Sequence, residues 1–243
     1  MAFKRISRHG IGNLTNRRGG ADHRAGQDNG DGPGVSVNTG DRQETGRPRL
    51  HCTVVLVGMM GCGKSAIGRT LAARLGVAFV DSDAEIETAA NATIPEIFAR
   101  DGEAFFRARE AEVIARLLRG EPCVLSTGGG AFLADRNRQA IAEHGVAIWL
   151  DADLDLLWDR VRHKDTRPLL RTPDPKMTLA RLLEDRAPIY AQAELRARAE
   201  PGLSIDAMTE RVIAILADRP FPAQWQWAWW GQDAARHLAV IPD

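Results

Sequence analysis

From residue 52 onward, short apolar runs alternate with longer stretches of helical periodicity. Cys52-Thr-Val-Val-Leu-Val57 is continuous, apolar and rich in β-branched residues, as a strand buried on both faces requires. Glycines follow, then a helical pattern through Leu75. Ala78–Val80, Val124–Ser126, Val146–Leu150 and Leu203–Ile205 read as four further strands. Helices are expected over 84–90, 94–100, 103–118, 153–161, 177–199 and 209–217, with a break at Asp101-Gly102. Strands alternating with helices imply crossover units and a mostly parallel sheet covered on both faces.

The first fifty residues lack any such pattern. They hold ten glycines, with nine Lys or Arg against five Asp or Glu. A segment of this kind buries too little apolar surface to offset its ordering entropy, so disorder is expected. The basic residues of the first twenty permit an organellar transit peptide, but glycine density and the missing amphipathic stripe weigh against it. A disordered tail or a start codon placed too early is the simpler reading. Residues 218–243 contain Trp225, Trp227, Trp229 and Trp230, four of the six tryptophans. Freely exposed, they would form an apolar patch that monomers avoid. They are expected to pack back on the domain or to bury at a self-association surface. The organisation is therefore a tail (1–50), one domain (51–217) and a Trp-rich extension (218–243).

Composition narrows the function classes. Thirty-two basic and 32 acidic residues give zero net charge, which argues against nucleic-acid binding through bulk charge. No apolar run reaches the ~18–20 residues of a membrane helix. Cys52, Cys62 and Cys123 lack metal-ligand spacing and are too few for a disulfide scaffold, so a reduced, cytoplasmic setting is expected. Of the basic residues 28 are Arg and 4 are Lys, so a lysine is the more informative signal.

One of those lysines lies in Gly58-Met-Met-Gly61-Cys62-Gly63-Lys64-Ser65, which fits G-x-x-x-x-G-K-[ST]. Glycines let successive backbone N–H groups converge on phosphate oxygens, Lys64 reaches the β- and γ-phosphates, and the Ser65 hydroxyl suits Mg²⁺. The following helix points its N-terminus at the anion. Nucleoside triphosphate binding is the starting point.

Five further segments carry chemistry. Asp81-Ser-Asp83 follows the second strand, where ligands of open parallel sheets bind. One carboxylate can hold a metal's water and the other can accept a substrate proton, or the segment is a helix cap. Arg107 and Glu110 in Phe105-Phe-Arg-Ala-Arg-Glu110 share a helix face, so the guanidinium can be preorganised for a bidentate anion, or form a surface salt bridge. Ser126-Thr-Gly128-Gly-Gly130 permits close backbone approach and positive φ. Arg167-Pro-Leu-Leu170 closes a polar stretch from Arg160 that reads as a flap over a phosphoryl-transfer site. Asp185-Arg186-Ala-Pro-Ile-Tyr190 lies in the helix beyond.

In this order, over about residues 52–217, these motifs resemble the shikimate kinases. The resemblance implies a P-loop kinase fold of the nucleoside monophosphate kinase type: a three-layer α/β/α sandwich on a five-stranded parallel sheet. It implies transfer of the γ-phosphate of ATP to the 3-hydroxyl of shikimate, in the route to chorismate and the aromatic amino acids. Gly61, Cys62, Gly63, Lys64, Ser65 and Ala66 would hold the ATP phosphates. One Mg²⁺ would be bound by Ser65 and, through its water shell, by Asp81. Asp83 would orient or deprotonate the attacking hydroxyl, and Lys64 would stabilise the in-line charge. Arg107 and Arg186 would grip the shikimate carboxylate, and Gly129 would offer a backbone N–H. Arg167 would reach the transferring phosphate and Arg160 would lie against adenine. Cys62 would confer sensitivity to thiol reagents. The partners implied are shikimate and ATP, with no nucleic acid, no membrane and a monomeric chain. The rivals are another small-molecule P-loop kinase, such as a gluconate kinase, and a non-catalytic protein on the same fold. The first would not require both arginines, and the second should have lost Lys64 or Asp83.

A chain beginning at Leu50 is expected to keep its kcat and KM for both substrates. A tenfold fall in kcat/KM, roughly 1.4 kcal/mol of transition-state stabilisation, would contradict the assignment of residues 1–50 as dispensable.

Overall fold

The computed structural model describes residue 50, residues 52–163 and residues 168–218. The tail before Leu50, the flap residue Arg167 and the four clustered tryptophans lie outside the described residues. Leu50 itself is buried, so the folded domain takes in the last residue assigned to the tail.

Five strands form one parallel sheet in the order β2-β3-β1-β4-β5. They are β1 (Thr53–Val57), β2 (Ala78–Asp81), β3 (Cys123–Ser126), β4 (Gly145–Asp151) and β5 (Leu195–Arg198). Every residue of β1 and β3, and Val146–Asp151 of β4, is buried. Successive side chains point to opposite faces, so burial of all of them means both faces are covered. The cover comes from α1 (Lys64–Leu75), packed with α7 (Ile205–Ala217), and from α3 (Ile94–Leu118), packed with α4 (Asp135–His144). The remaining helices are α2 (Ser82–Ala90), α5 (Leu154–Val161) and α6 (Pro175–Tyr190). This is the expected three-layer sandwich.

Local sequence explains most of these boundaries. Ile67, Gly68, Leu71, Ala72 and Leu75 fall on the buried face of α1, and Gly76 ends it in the left-handed region. Thr93 and Glu96 form a capping box that starts α3. At Gly102 the backbone leaves helical geometry, with φ 80° and ψ 171°, so the break expected at Asp101-Gly102 is a kink within α3.

Three expectations fail. The helix expected over 177–199 ends at Tyr190, and the fifth strand is Leu195–Arg198, not Leu203–Ile205. β5 is an edge strand whose arginines are held at the surface. Arg196 donates to Asp151 from Nη2 at 2.6 Å and stacks 4.8 Å from the Trp149 ring, and Arg198 bonds Asp153 at 2.8 Å. Only Ala197 of this strand is buried, so no apolar alternation marks it. Leu203 instead leads into Ser204, whose hydroxyl caps α7. Helix α4 was not expected: Asp-Arg-Asn-Arg-Gln-Ala-Ile-Ala-Glu-His buries only Asn137 and Ile141.

Candidate active site

The carboxyl ends of β1, β2 and β3 bring the motifs together around a cleft of about 500 Å³. Its lining includes Gly61, Gly63, Lys64, Ser65 and Ala66 from the phosphate loop, Asp81 and Asp83, Gly128 and Gly129, and Arg160.

Gly61 and Gly63 have φ of 85° and 103°, which L side chains rarely adopt. Gly63 caps α1, whose first residues are Lys64 and Ser65. The Lys64 Nζ donates to the Gly58 and Met59 carbonyls at 2.8 and 3.0 Å and lies 3.6 Å from the Cys62 Sγ. The ammonium is thus held inside the loop that a phosphate would enter. Cys62 is fully buried, contrary to the expected thiol sensitivity, because reactive cysteines need exposure. Arg160 Nη1 donates to the Gly61 and Cys62 carbonyls at 3.3 and 3.4 Å, so its guanidinium braces the back of the loop.

The helix-cap reading of the Asp81-Ser-Asp83 segment holds for Asp81. Asp81 is the N-cap of α2, accepting from the Asp83 N–H at 3.1 Å, and its other oxygen accepts from the Ser65 hydroxyl at 3.2 Å. Asp83 is free of capping duty and lies in the cleft. Burial, then the Asp81 and Glu110 carboxylates, push its carboxyl up to about 6, against the pull of Lys64. Ser82 is fully buried, and its hydroxyl accepts from the Gly128 N–H at 3.3 Å.

Two glycines of the loop after β3, Gly128 and Gly130, leave space for neighbouring side chains. None of Gly128, Gly129 and Gly130 has positive φ, so that part of the expectation fails. A Cβ at Gly128 would lie 2.7 Å from an Asp83 carboxylate oxygen, and one at Gly130 would lie 2.7 Å from both terminal nitrogens of Arg107. At Gly129 the nearest groups would be the Gly58 carbonyl, the Arg186 Nη1 and the Tyr190 hydroxyl, at 3.7–3.8 Å. The loop therefore seats Asp83, Arg107 and Arg186 side by side.

Arg107 is fixed by carboxylates. Its Nη1 donates to Glu110, 1% exposed, at 2.9 Å, and its Nη2 and Nε donate to Glu103. Desolvation opposes the guanidinium charge, but these bonds outweigh it and raise the pKa above its ordinary value. The neighbouring Arg109 turns away, pairing with Glu112 and lying over Phe105. Arg186 stands one helical turn before Tyr190 on α6, and its guanidinium lies beside the Tyr190 hydroxyl at the Gly129 backbone. Sequence reasoning missed the opposite wall of the cleft, where Ala199, Leu203, Ser204, Ile205 and Met208 line it between β5 and α7. The only signal for them is their position after a strand's carboxyl end.

The family model for shikimate kinase matches residues 60–217. The chain belongs to the shikimate kinase family. It is 64% identical to the shikimate kinase of Ruegeria pomeroyi over 185 residues, covering 76% of this chain and 95% of that one. It is 60% identical to that of Cereibacter sphaeroides over 190 residues, covering 77% and 95%. Among solved structures it is similar to a shikimate kinase from Acinetobacter baumannii in complex with shikimate, at 36% identity and a TM-score of 0.66, covering 71% of this chain and 97% of that one. The activity is accordingly that of an ATP-dependent shikimate kinase in the shikimate pathway.

Tyr190 is the one tyrosine of the chain, so its ionisation can be read without interference. Burial pushes its hydroxyl up to about 12, against the opposing charge of Arg186. A raised pKa means the folded state binds the phenolic proton more tightly. Stability from this group is complete below about pH 10 and is lost as pH rises toward 12. Absorbance at a phenolate wavelength should rise near pH 12 in the folded protein and near pH 10 after denaturation. A folded-state midpoint at about 10 would contradict the buried, bonded placement.

Proposed function

We propose that the residues around the three-glycine loop divide the kinase reaction into a phosphate half and an acceptor half. The observation that carries this is the seating of Asp83, Arg107 and Arg186 on Gly128–Gly130 beside the phosphate loop. Gly61 to Ala66 wrap the ATP phosphates with backbone N–H groups at the start of α1. The donors of Lys64, held by neutral loop carbonyls, transfer to β- and γ-phosphate oxygens, which are stronger, charged acceptors. Arg160 lines the cleft beside the phosphate loop, and adenine would lie against it. Arg167 would supply positive charge to the transferring phosphate.

Ser65 and Asp81 offer a hydroxyl and a carboxylate in contact, the hard oxygen donors that suit Mg²⁺. Ser65 and, through water, Asp81 would hold the ion, which would supply charge neutralisation for the β- and γ-phosphates.

The acceptor is small and anionic and binds beside a polyanion, so its site needs fixed positive charge. Arg107, held by Glu110, and Arg186, beside the Tyr190 hydroxyl, grip the shikimate carboxylate. The Gly129 N–H binds a substrate oxygen. Asp83 accepts a hydrogen bond from the 3-hydroxyl and aims its oxygen at the γ-phosphorus. As the new P–O bond forms and the bond to ADP breaks, the hydroxyl proton passes to the Asp83 carboxylate. A carboxyl raised toward neutrality is a better acceptor than an ordinary aspartate. The loose transition state asks little of base strength, so orientation is the larger share. The chain works in the cytoplasm as a monomer. The three described cysteines are all unbridged, and no described helix is long and apolar enough to cross a membrane.

The two aspartates should separate by role. Asp81→Asn should weaken activity in a way that added Mg²⁺ partly restores. Asp83→Asn should lower kcat by about 10²–10⁴-fold at any Mg²⁺ concentration, with ATP binding close to wild type. Retention of more than about a tenth of kcat by Asp83→Asn would remove it from the catalytic role.

A further inference from the structure

The glycines that make room at the site also bring a difficulty. Three residues without Cβ atoms have more backbone freedom than any others, yet Gly129 must present its N–H in one direction. The two peptide planes that meet at Gly129 each need an anchor.

The plane before it is fixed locally, because the Gly128 carbonyl accepts from the Ala131 N–H at 3.0 Å. A trans peptide is rigid, so this bond also sets the direction of the Gly129 N–H. The Gly128 N–H is tied separately to the Ser82 hydroxyl. The plane after Gly129 has a different anchor: its carbonyl accepts from the Tyr190 hydroxyl. Tyr190 is the last residue of α6 and is fully buried. Its ring packs with the Trp149 ring at 6.3 Å between centroids, and its oxygen lies 3.8 Å from the Met59 Sδ of the phosphate loop. The Arg186 guanidinium, four residues earlier on the helix, lies beside the same hydroxyl: its Nη1 and the Tyr190 oxygen each come within 3.8 Å of where a Cβ of Gly129 would sit. One phenol oxygen therefore donates to the loop with the guanidinium beside it, its ring locked in the core.

We propose that Tyr190 is a positioning residue for the acceptor: its hydroxyl sets the Arg186 guanidinium and the Gly129 backbone at a fixed separation. This rests on the reading of Arg186 as a carboxylate grip. A phenol does what a second backbone contact could not. It is rigid, and it reaches from the end of α6 to the Gly129 carbonyl. The substrate carboxylate then meets an arginine already aimed, at little further cost in side-chain entropy. Tyr190 touches no reacting atom, so its loss should weaken acceptor binding and spare the chemical step.

Tyr190→Phe keeps the ring and removes only the hydroxyl. The experiment is steady-state kinetics on the full chain, varying shikimate and ATP in turn, for wild type, Tyr190→Phe, Arg186→Ala and the double variant, with thermal unfolding of each. The expected result is a rise of about three- to tenfold in the shikimate KM of Tyr190→Phe, the loss of one hydrogen bond. Its ATP KM and kcat should stay within about twofold of wild type. In the Arg186→Ala background, Tyr190→Phe should change the shikimate KM by less than about twofold, because the guanidinium is gone and the Gly129 N–H direction is set by the Gly128 carbonyl bond. Equal rises in both KM values, or an undiminished effect in the Arg186→Ala background, would overturn the proposal and leave Tyr190 a core residue. An unchanged shikimate KM in Tyr190→Phe, with a raised one in Arg186→Ala, would also overturn it while sparing the carboxylate grip. An unchanged shikimate KM in Arg186→Ala would bring down the grip itself, and the positioning role with it.

Discussion

The absence of side chains at the carboxyl end of β3 is the constraint on which the site depends. Asp83 arrives from α2, Arg107 from α3 and Arg186 from α6. They converge because Gly128 and Gly130 leave the carboxylate and one guanidinium room to lie against bare backbone. Opposite charges are thereby brought onto one short loop without a side chain between them. The parallel sheet makes this arrangement available: β3 lies between β1, which feeds the phosphate loop, and β2, which feeds the two aspartates. The order of strands places donor and acceptor sites next to each other.

Electrostatics follows from that placement. Two anions must meet, so the cleft carries Lys64 and Arg160, with Arg107 at the three-glycine loop, each tied to an acceptor before any ligand arrives. Lys64 is held by loop carbonyls, Arg160 by the Gly61 and Cys62 carbonyls, and Arg107 by Glu103 and Glu110. Pre-held donors lose little freedom when a phosphate or carboxylate replaces or joins their partners. Asp83 is the counterpart: burial beside other carboxylates leaves it with weak compensation and a raised affinity for a proton.

Much of this was legible in the sequence, for a physical reason. A buried parallel strand must be continuously apolar, and β1, β3 and β4 are. A phosphate loop needs glycines and a lysine at fixed spacing, and Gly58–Ser65 supplies them. What escaped lies where burial is one-sided or absent. Edge strand β5 is covered by its own arginines, and α4 buries only two side chains, so neither leaves an apolar stripe. The three glycines announce close approach, but which groups approach, Asp83 at Gly128 and Arg107 at Gly130, lies distant in sequence. Tyr190 carries no role in the sequence alone, because its partner Gly129 lies sixty-one residues away.

The central claim, that the bare loop seats the acceptor-binding groups, is tested most directly by calorimetric titration of shikimate into Gly130→Ala. A methyl there would lie 2.7 Å from the Arg107 guanidinium and must displace it. The account predicts that shikimate affinity falls at least about tenfold while ADP affinity stays within about twofold of wild type. Unchanged shikimate affinity in a folded Gly130→Ala protein would contradict it.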